Sequence, residues 1–212
     1  MRYFVIPARK GSKGFPFKNR KLLKFTLKIF PNEYHKDIII TTDDEHIIDQ
    51  VKNTEITIVR RDEELSNDNA SIKPVLIDVI HKCGLNDDDD LILLYLTYPQ
   101  RTIEKIEEIY KFYEQNSGVS LLCAKKVKTH PYLCFYKRNN YKGEPIVRHN
   151  LYRRQDYPEC FRLSFYVCIV KAGYIENLNF NLYNDETIFY DIEDYIDIDS
   201  PDDFERFLEE NK

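Results

Sequence analysis

The residues best equipped for chemistry lie at opposite ends of the chain. The stretch IPARKGSKGFPFKN, residues 6–19, holds Arg9, Lys10, Lys13 and Lys18 with two glycines, one serine and no acid. A guanidinium such as Arg9 offers a fork to two oxygens, and Lys13 and Lys18 act as point charges. Ser12 and backbone N–H groups can bind phosphate oxygens, and Gly11 and Gly14 let a ligand approach the backbone closely. Near the other end, Asp197 and Asp199 stand two residues apart in YIDIDSPDDF. On an extended segment that spacing points both carboxylates to one face. Such a pair suits Mg²⁺, which prefers oxygen ligands and keeps several waters. Equally, one acid can face solvent while the other caps a neighbour.

The charge distribution repeats this division. The 212-residue chain has net charge −5, yet residues 1–32 carry nine Lys and Arg and no acid, and residues 185–210 carry twelve Asp and Glu against Arg206 alone. A basic start and an acidic end fit a nucleoside triphosphate with its metal, although two ordinary solvated faces explain the charges alone. Nucleic acid is disfavoured as a partner: the basic stretch has few aromatics, and the acidic remainder repels a phosphate backbone. No apolar run approaches the roughly 18 residues of a membrane span, and RYFVIPA is too short for a signal peptide. The five cysteines lack CxxC spacing and the five histidines lack HxxxH spacing. Reduced thiols in a cytoplasm are the simplest reading, and a zinc site is disfavoured.

These residues need a scaffold, and the periodicity supplies one. With 42% hydrophobic residues the chain can build a core. RYFVIPA (2–8), DIIITTD (37–43), ITIVRR (56–61), DLILLYLTY (90–98), GVSLLCAKKV and SFYVCIV (164–170) read as strands. DDEHIIDQVKN, ASIKPVLIDVIHKCG and TIEKIEEIYKFYEQNSG read as helices, the second closed by Gly84 and the third capped by Thr102 and stopped by a glycine. The ending predicts a strand followed by a helix, with Ser200 as N-cap and Pro201 at its first position. Alternating strands and helices predict an α/β fold with a mainly parallel sheet covered on both faces. Residues 1–212 form one domain on this reading. The polar, aromatic stretch at about 130–160 predicts a hairpin or arm. The loop after the first strand should lie at the carboxyl edge of the sheet, where open α/β folds bind ligands. It matches neither GxGxxG nor the P-loop.

IPARKGSKGFPFKN resembles the signature of the acylneuraminate cytidylyltransferase family, the CMP-sialic acid synthetases and their relatives. TTDDEHI, RRDEELSNDNAS, LTYPQRT, HPY (130–132), RRQDYP (153–158) and YIDIDSPDDF resemble further family segments in the same order, nearly end to end. The resemblance implies a Rossmann-like three-layer sandwich with a mainly parallel mixed sheet and a small dimerisation arm, hence a homodimer. It implies transfer of CMP from CTP to a small-molecule acceptor, a 2-keto-3-deoxy sugar acid, with Mg²⁺ as cofactor and pyrophosphate as leaving group. Carried over residue by residue, Ala8, Arg9, Gly11, Ser12, Lys13, Lys18 and Asn19 would bind the triphosphate and ribose. Arg60, Ala70 and Ser71 would lie against the base, and Asp197 and Asp199 would hold the metal, with Arg9 and Lys18 joining them in catalysis. Tyr95, Thr97, Tyr98, Arg101, Tyr132, Arg153, Gln155 and Phe165 would line the acceptor side.

The chain departs from the family pattern mainly on that side. Tyr95 replaces a glutamine, Leu96 and Tyr98 replace the proline and serine of PTSP, and Ser164-Phe165-Tyr166 replaces Asn-Gly-Ala. These aromatics predict an acceptor smaller, less hydroxylated or more apolar than N-acetylneuraminic acid, unless they are core residues instead. The stretch from Asn19 to Asp43 is short for the family, which predicts a first helix of roughly two turns. The rival readings are a cytidylyltransferase for a smaller keto acid, a phosphonate or a phosphorylated polyol, and a nucleotide-binding paralogue without catalysis.

Overall fold

The structure is a computed structural model that describes residues 1–11, 14–193 and 195–211, with the side chain of Asn140 left aside. Ser12 and Lys13, both expected to bind phosphate, lie outside the described residues. Seven strands form one sheet: β1 (Arg2–Pro7), β2 (Ile38–Thr42), β3 (Thr57–Arg60), β4 (Asp90–Leu93), β5 (Ser120–Lys126), β8 (Phe161–Lys171) and β9 (Ile188–Asp191). Their order is β3-β2-β1-β4-β8-β5-β9. β8 runs antiparallel to β4 and β5, and the remaining pairs are parallel. β6 (Phe135–Lys137) and β7 (Gly143–Pro145) pair antiparallel as a separate hairpin within the expected arm.

Side-chain alternation assigns the helices to the two faces of the sheet. Phe4, Ile6, Ile38 and Ile40 pack with Leu22 and Leu23 of α1 (Lys18–Lys28), Ile47 and Val51 of α2 (Glu45–Val51), and Ile106 and Ile109 of α5 (Ile103–Gln115). Phe207 of α6 (Pro201–Glu210) joins the same core. Val5, Ile39, Val59, Leu91 and Leu93 point the other way, onto Leu76 and Val79 of α4 (Ile72–Cys83) and the segment 172–182. A short helix, α3 (Glu63–Ser66), links β3 to α4.

Several boundaries differ from the sequence reading. α1 has 11 residues, about three turns rather than two, and a 3-10 segment over Asn32–Asp37 completes the crossing to β2. β4 stops at Leu93, and Tyr95, Leu96 and Thr97 beyond it line the site. α5 is capped by the Thr102 hydroxyl, as expected, but the left-handed residue after it is Ser117 (φ 49°), not Gly118. Gly118 is needed for a different reason: a Cβ there would stand 2.6 Å from the Tyr113 ring. β9 was not foreseen. The segment 195–199, expected to be a strand, is outside the sheet and joins the loop after β4 through Ile198 N–H to the Thr97 carbonyl (2.8 Å).

Candidate functional site

The sheet order reverses between β1 and β4, because the chain leaves β1 towards β2 and leaves β4 towards the opposite edge. The loops after these two strands therefore diverge and open a crevice at their carboxyl ends. A cleft of about 240 Å³ occupies that place. Arg9, Gly11, Lys18 and Asn19 line one side, Ala70, Ser71 and Arg61 another, and Tyr95 and Thr97 the β4 side.

The basic loop is pinned at several points. Asn19 donates to the Arg9 carbonyl (2.8 Å), and Lys10 N–H donates to Asp43 (2.7 Å). Arg9 pairs with Asp68 at 2.6 Å, across 59 residues of sequence. Ala8 is buried; its N–H donates to the Thr41 carbonyl, and its own carbonyl accepts from the Thr42 hydroxyl. It fixes the exit of the strand and does not line the cleft.

The two ends of the chain do meet. Lys18 Nζ lies 2.9 Å from Asp199 Oδ1. A Cβ on Gly14 would stand 3.1 Å from the Asp199 carbonyl oxygen, so the close approach made at this glycine is to the acidic segment. Asp197 and Asp199 are exposed, and Ile196 and Ile198 are buried. This alternation sets both carboxylates on the outer face although the segment is not a ladder strand. Tyr98 donates its hydroxyl to Asp197 Oδ2 (2.8 Å). Burial raises the Tyr98 phenol pKa, so the group stays a donor at neutral pH. Among the described residues no cluster of three or more His, Cys, Asp or Glu could hold a metal alone. Two carboxylate donors beside a basic cleft do suit Mg²⁺, which leaves its other positions to water and phosphate oxygens.

One residue is corrected. Arg60 is exposed, pairs with Glu45 and lines a separate cleft beside Lys82. Arg61 enters the site instead. Its Nε donates to the Thr41 hydroxyl (3.1 Å), and its buried Nη2 has no hydrogen-bond partner among the described residues. Burial lowers its pKa to about 10, with Asp43 opposing the shift, so it remains a cation at neutral pH. The period of two offered no signal, because Ile56 and Ile58 precede Arg60 on one face as Val59 precedes Arg61 on the other.

The expected acceptor residues do not form one group. Tyr95 and Thr97 line the cleft. Tyr98 and Tyr166 are core residues, 4% and 1% exposed, in edge-to-face contact. Phe165 stands edge-on to Tyr95 behind the cleft, at 5.8 Å between ring centroids. Arg101 is buried and donates to the Tyr95 and Tyr166 carbonyls, so it ties the β4 loop to β8. Tyr132 packs in the arm with His130, His149 and Tyr157. Arg153 pairs with Asp156, and Gln155 lines a pocket with Lys126 and His130.

The architecture has counterparts of known structure. The structure of a CMP:2-keto-3-deoxy-manno-octonic acid synthetase complexed with CTP superposes with TM-score 0.68, covering 100% of this chain and 99% of that one, at 13% identity. That likeness establishes the fold. By sequence, the chain is 29% identical to the N-acylneuraminate cytidylyltransferase of Streptococcus agalactiae serotype V over 94% of its own length, but spans only 51% of that relative. It is 27% identical to the CMP-N,N'-diacetyllegionaminic acid synthase of Legionella pneumophila, over 98% of this chain and 96% of the relative. A sequence profile described as Cytidylyltransferase matches residues 3–209. With that match over nearly the whole chain, the protein belongs to the cytidylyltransferase family.

Proposed function

We propose that this protein transfers CMP from CTP to a sugar acid of the nonulosonic type and releases pyrophosphate, for the synthesis of a surface polysaccharide. The observation that carries this reading is the Lys18–Asp199 pair, where a phosphate-binding cation meets a metal-binding carboxylate at the mouth of the cleft. In the reaction an acceptor hydroxyl oxygen forms a bond to the α-phosphorus, the bond from that phosphorus to the bridging oxygen breaks, and the hydroxyl proton passes to solvent. Arg9 and Lys18 neutralise charge growing on the departing pyrophosphate. The pinned loop keeps them positioned before CTP arrives, so little reorganisation is needed in the transition state. Arg61, Ala70 and Ser71 receive the nucleoside, with the Arg61 nitrogen that has no partner among the described residues as a donor. Asp197 and Asp199 would hold Mg²⁺, which supplies positive charge to the triphosphate.

The relatives support this choice of acceptor by their names, which include N-acylneuraminate, legionaminic acid and pseudaminic acid enzymes. Tyr95, set where the family carries an amide, favours a more apolar or smaller member of that class. The five cysteines are free, which fits a reducing cytoplasm. Exposed aromatics on the arm (Phe135, Tyr136, Tyr141 and Tyr152) fit a surface that pairs with a second copy.

The test is pyrophosphate release from CTP and Mg²⁺ against N-acetylneuraminic, diacetyllegionaminic and pseudaminic acids. One acceptor should reach kcat/KM of at least about 10⁴ M⁻¹s⁻¹. Asp197→Asn should abolish that turnover while the variant keeps the wild-type melting temperature. Release that no acceptor stimulates, or an Asp197→Asn enzyme of wild-type activity at sub-millimolar Mg²⁺, would overturn the reading.

A further inference from the structure

The segment bearing the two carboxylates lies outside every β-ladder, so other contacts must fix it. Ile198 N–H bonds the Thr97 carbonyl. Lys125, buried in β5, donates to the Tyr195 carbonyl at 2.9 Å. Tyr195 stacks on Tyr166 with centroids 4.4 Å apart and planes 15° apart. Tyr166 in turn meets Tyr98 edge-on at 5.7 Å. These contacts hold backbone and rings. A single described hydrogen bond reaches the Asp197 carboxylate itself, and its donor is the hydroxyl of buried Tyr98.

We propose that Tyr98 is a positioning residue that aims the Asp197 carboxylate into the cleft mouth. This rests on the reading of Asp197 as a metal-holding group. A carboxylate on an exposed segment otherwise samples several rotamers, and each must be given up when a cation binds. The phenol removes that freedom beforehand. Its ring is held edge-on to Tyr166, with the Arg101 guanidinium 5.4 Å from its centroid, so the phenol oxygen stays 2.8 Å from Oδ2. The bond to Oδ2 leaves Oδ1 for an incoming cation. A serine at this position, usual in the family segment, has a side chain several ångströms shorter than a phenol, so in this chain the aiming group is particular to the tyrosine.

The experiment replaces Tyr98 with Phe, which deletes one oxygen and keeps the ring. Mn²⁺ serves as a paramagnetic stand-in for Mg²⁺, and its binding is followed by electron paramagnetic resonance of the free ion at saturating CTP. CTP affinity without divalent metal and the melting temperature are measured beside it. Loss of a group that orients a metal ligand typically weakens metal affinity about 10–100-fold. The variant should show at least a tenfold weaker Mn²⁺ affinity with unchanged metal-free CTP affinity. In an Asp197→Asn background the same replacement should change Mn²⁺ affinity less than twofold, which holds even where the tyrosine change also lowers the melting temperature. Equal Mn²⁺ affinity in wild type and Tyr98→Phe overturns the inference alone. Equal Mn²⁺ affinity in wild type and Asp197→Asn overturns the metal-holding role on which it rests.

Discussion

Two adjacent arginines with the same charge have opposite surroundings. Arg60 faces solvent and Glu45, and Arg61 turns beneath Thr41 into the cleft with one nitrogen unpartnered among the described residues. Composition cannot distinguish them, and the similarity of RRDEELSNDNAS to a family segment did not either. Alternation does not separate them, since both faces are apolar before the arginines; the contact of Arg61 with Thr41 of β2 does. A charged hydrogen bond contributes about 1.5–3 kcal/mol. Arg61→Ala should therefore weaken CTP binding by about tenfold or more, whereas Arg60→Ala should leave it within about twofold. Titration calorimetry with CTP checks both, and equal losses at the two positions would show that diffuse charge is what counts. The same scale explains why Tyr98 and Tyr166 were expected in a pocket but lie in the core. Which face a large aromatic takes depends on neighbours from β8 and the acidic segment, distant in sequence.

Elements were easier to read where a local signal exists. α6 starts where Ser200, Pro201 and Asp203 say it should, with Ser200 and Asp203 forming a reciprocal cap. β9 was missed because its four residues lie in an acid-rich stretch, and only pairing with β5 makes them a strand. α2 shows how an element end carries electrostatic stability. Asp44 caps it, accepts from His46 N–H and pairs with Arg20 at 2.6 Å. Burial pushes the Asp44 carboxyl up, but the Arg20 and His46 hydrogen bonds outweigh it and hold the pKa below the usual value. A carboxyl with a lowered folded pKa stabilises fully above its unfolded pKa, and the contribution disappears as pH falls through the folded value. The melting temperature should thus show no Asp44 contribution to its slope between pH 7 and about 5, and a decline below about pH 4. Asp44→Asn should flatten that acid limb. Asp44→Ala should cost on the order of 3 kcal/mol at pH 7 by leaving Arg20 without its buried partner. Thermal melts from pH 3 to 7 test both. An acid limb identical in wild type and Asp44→Asn would remove Asp44 from the account.

For the whole molecule, the feature that the seven-stranded sheet does not absorb is the arm. The arm leaves large side chains uncovered: Tyr141 is 97% exposed and Tyr152 96%. Apolar surface of this kind is normally covered by a partner. Light scattering after gel filtration should give about twice the chain mass of 25.4 kDa. Phe135→Ser with Tyr152→Ser should move the protein towards one chain mass without altering the far-ultraviolet dichroism. A wild-type monomer at tens of micromolar would contradict the pairing surface.

The contact between Gly14 and Asp199 has a consequence for biosynthesis. A ribosome delivers the basic loop first and the acidic segment some 180 residues later. Until that segment emerges and α6 docks Phe204 and Phe207 against Phe15 and Phe25, Lys18 is without its Asp199 partner. A product terminated before residue 197 carries the whole basic loop yet lacks Asp197 and Asp199. Closure of the cleft mouth is thereby tied to synthesis of the acidic segment: a chain released before Asp199 keeps Lys18 without the carboxylate it meets.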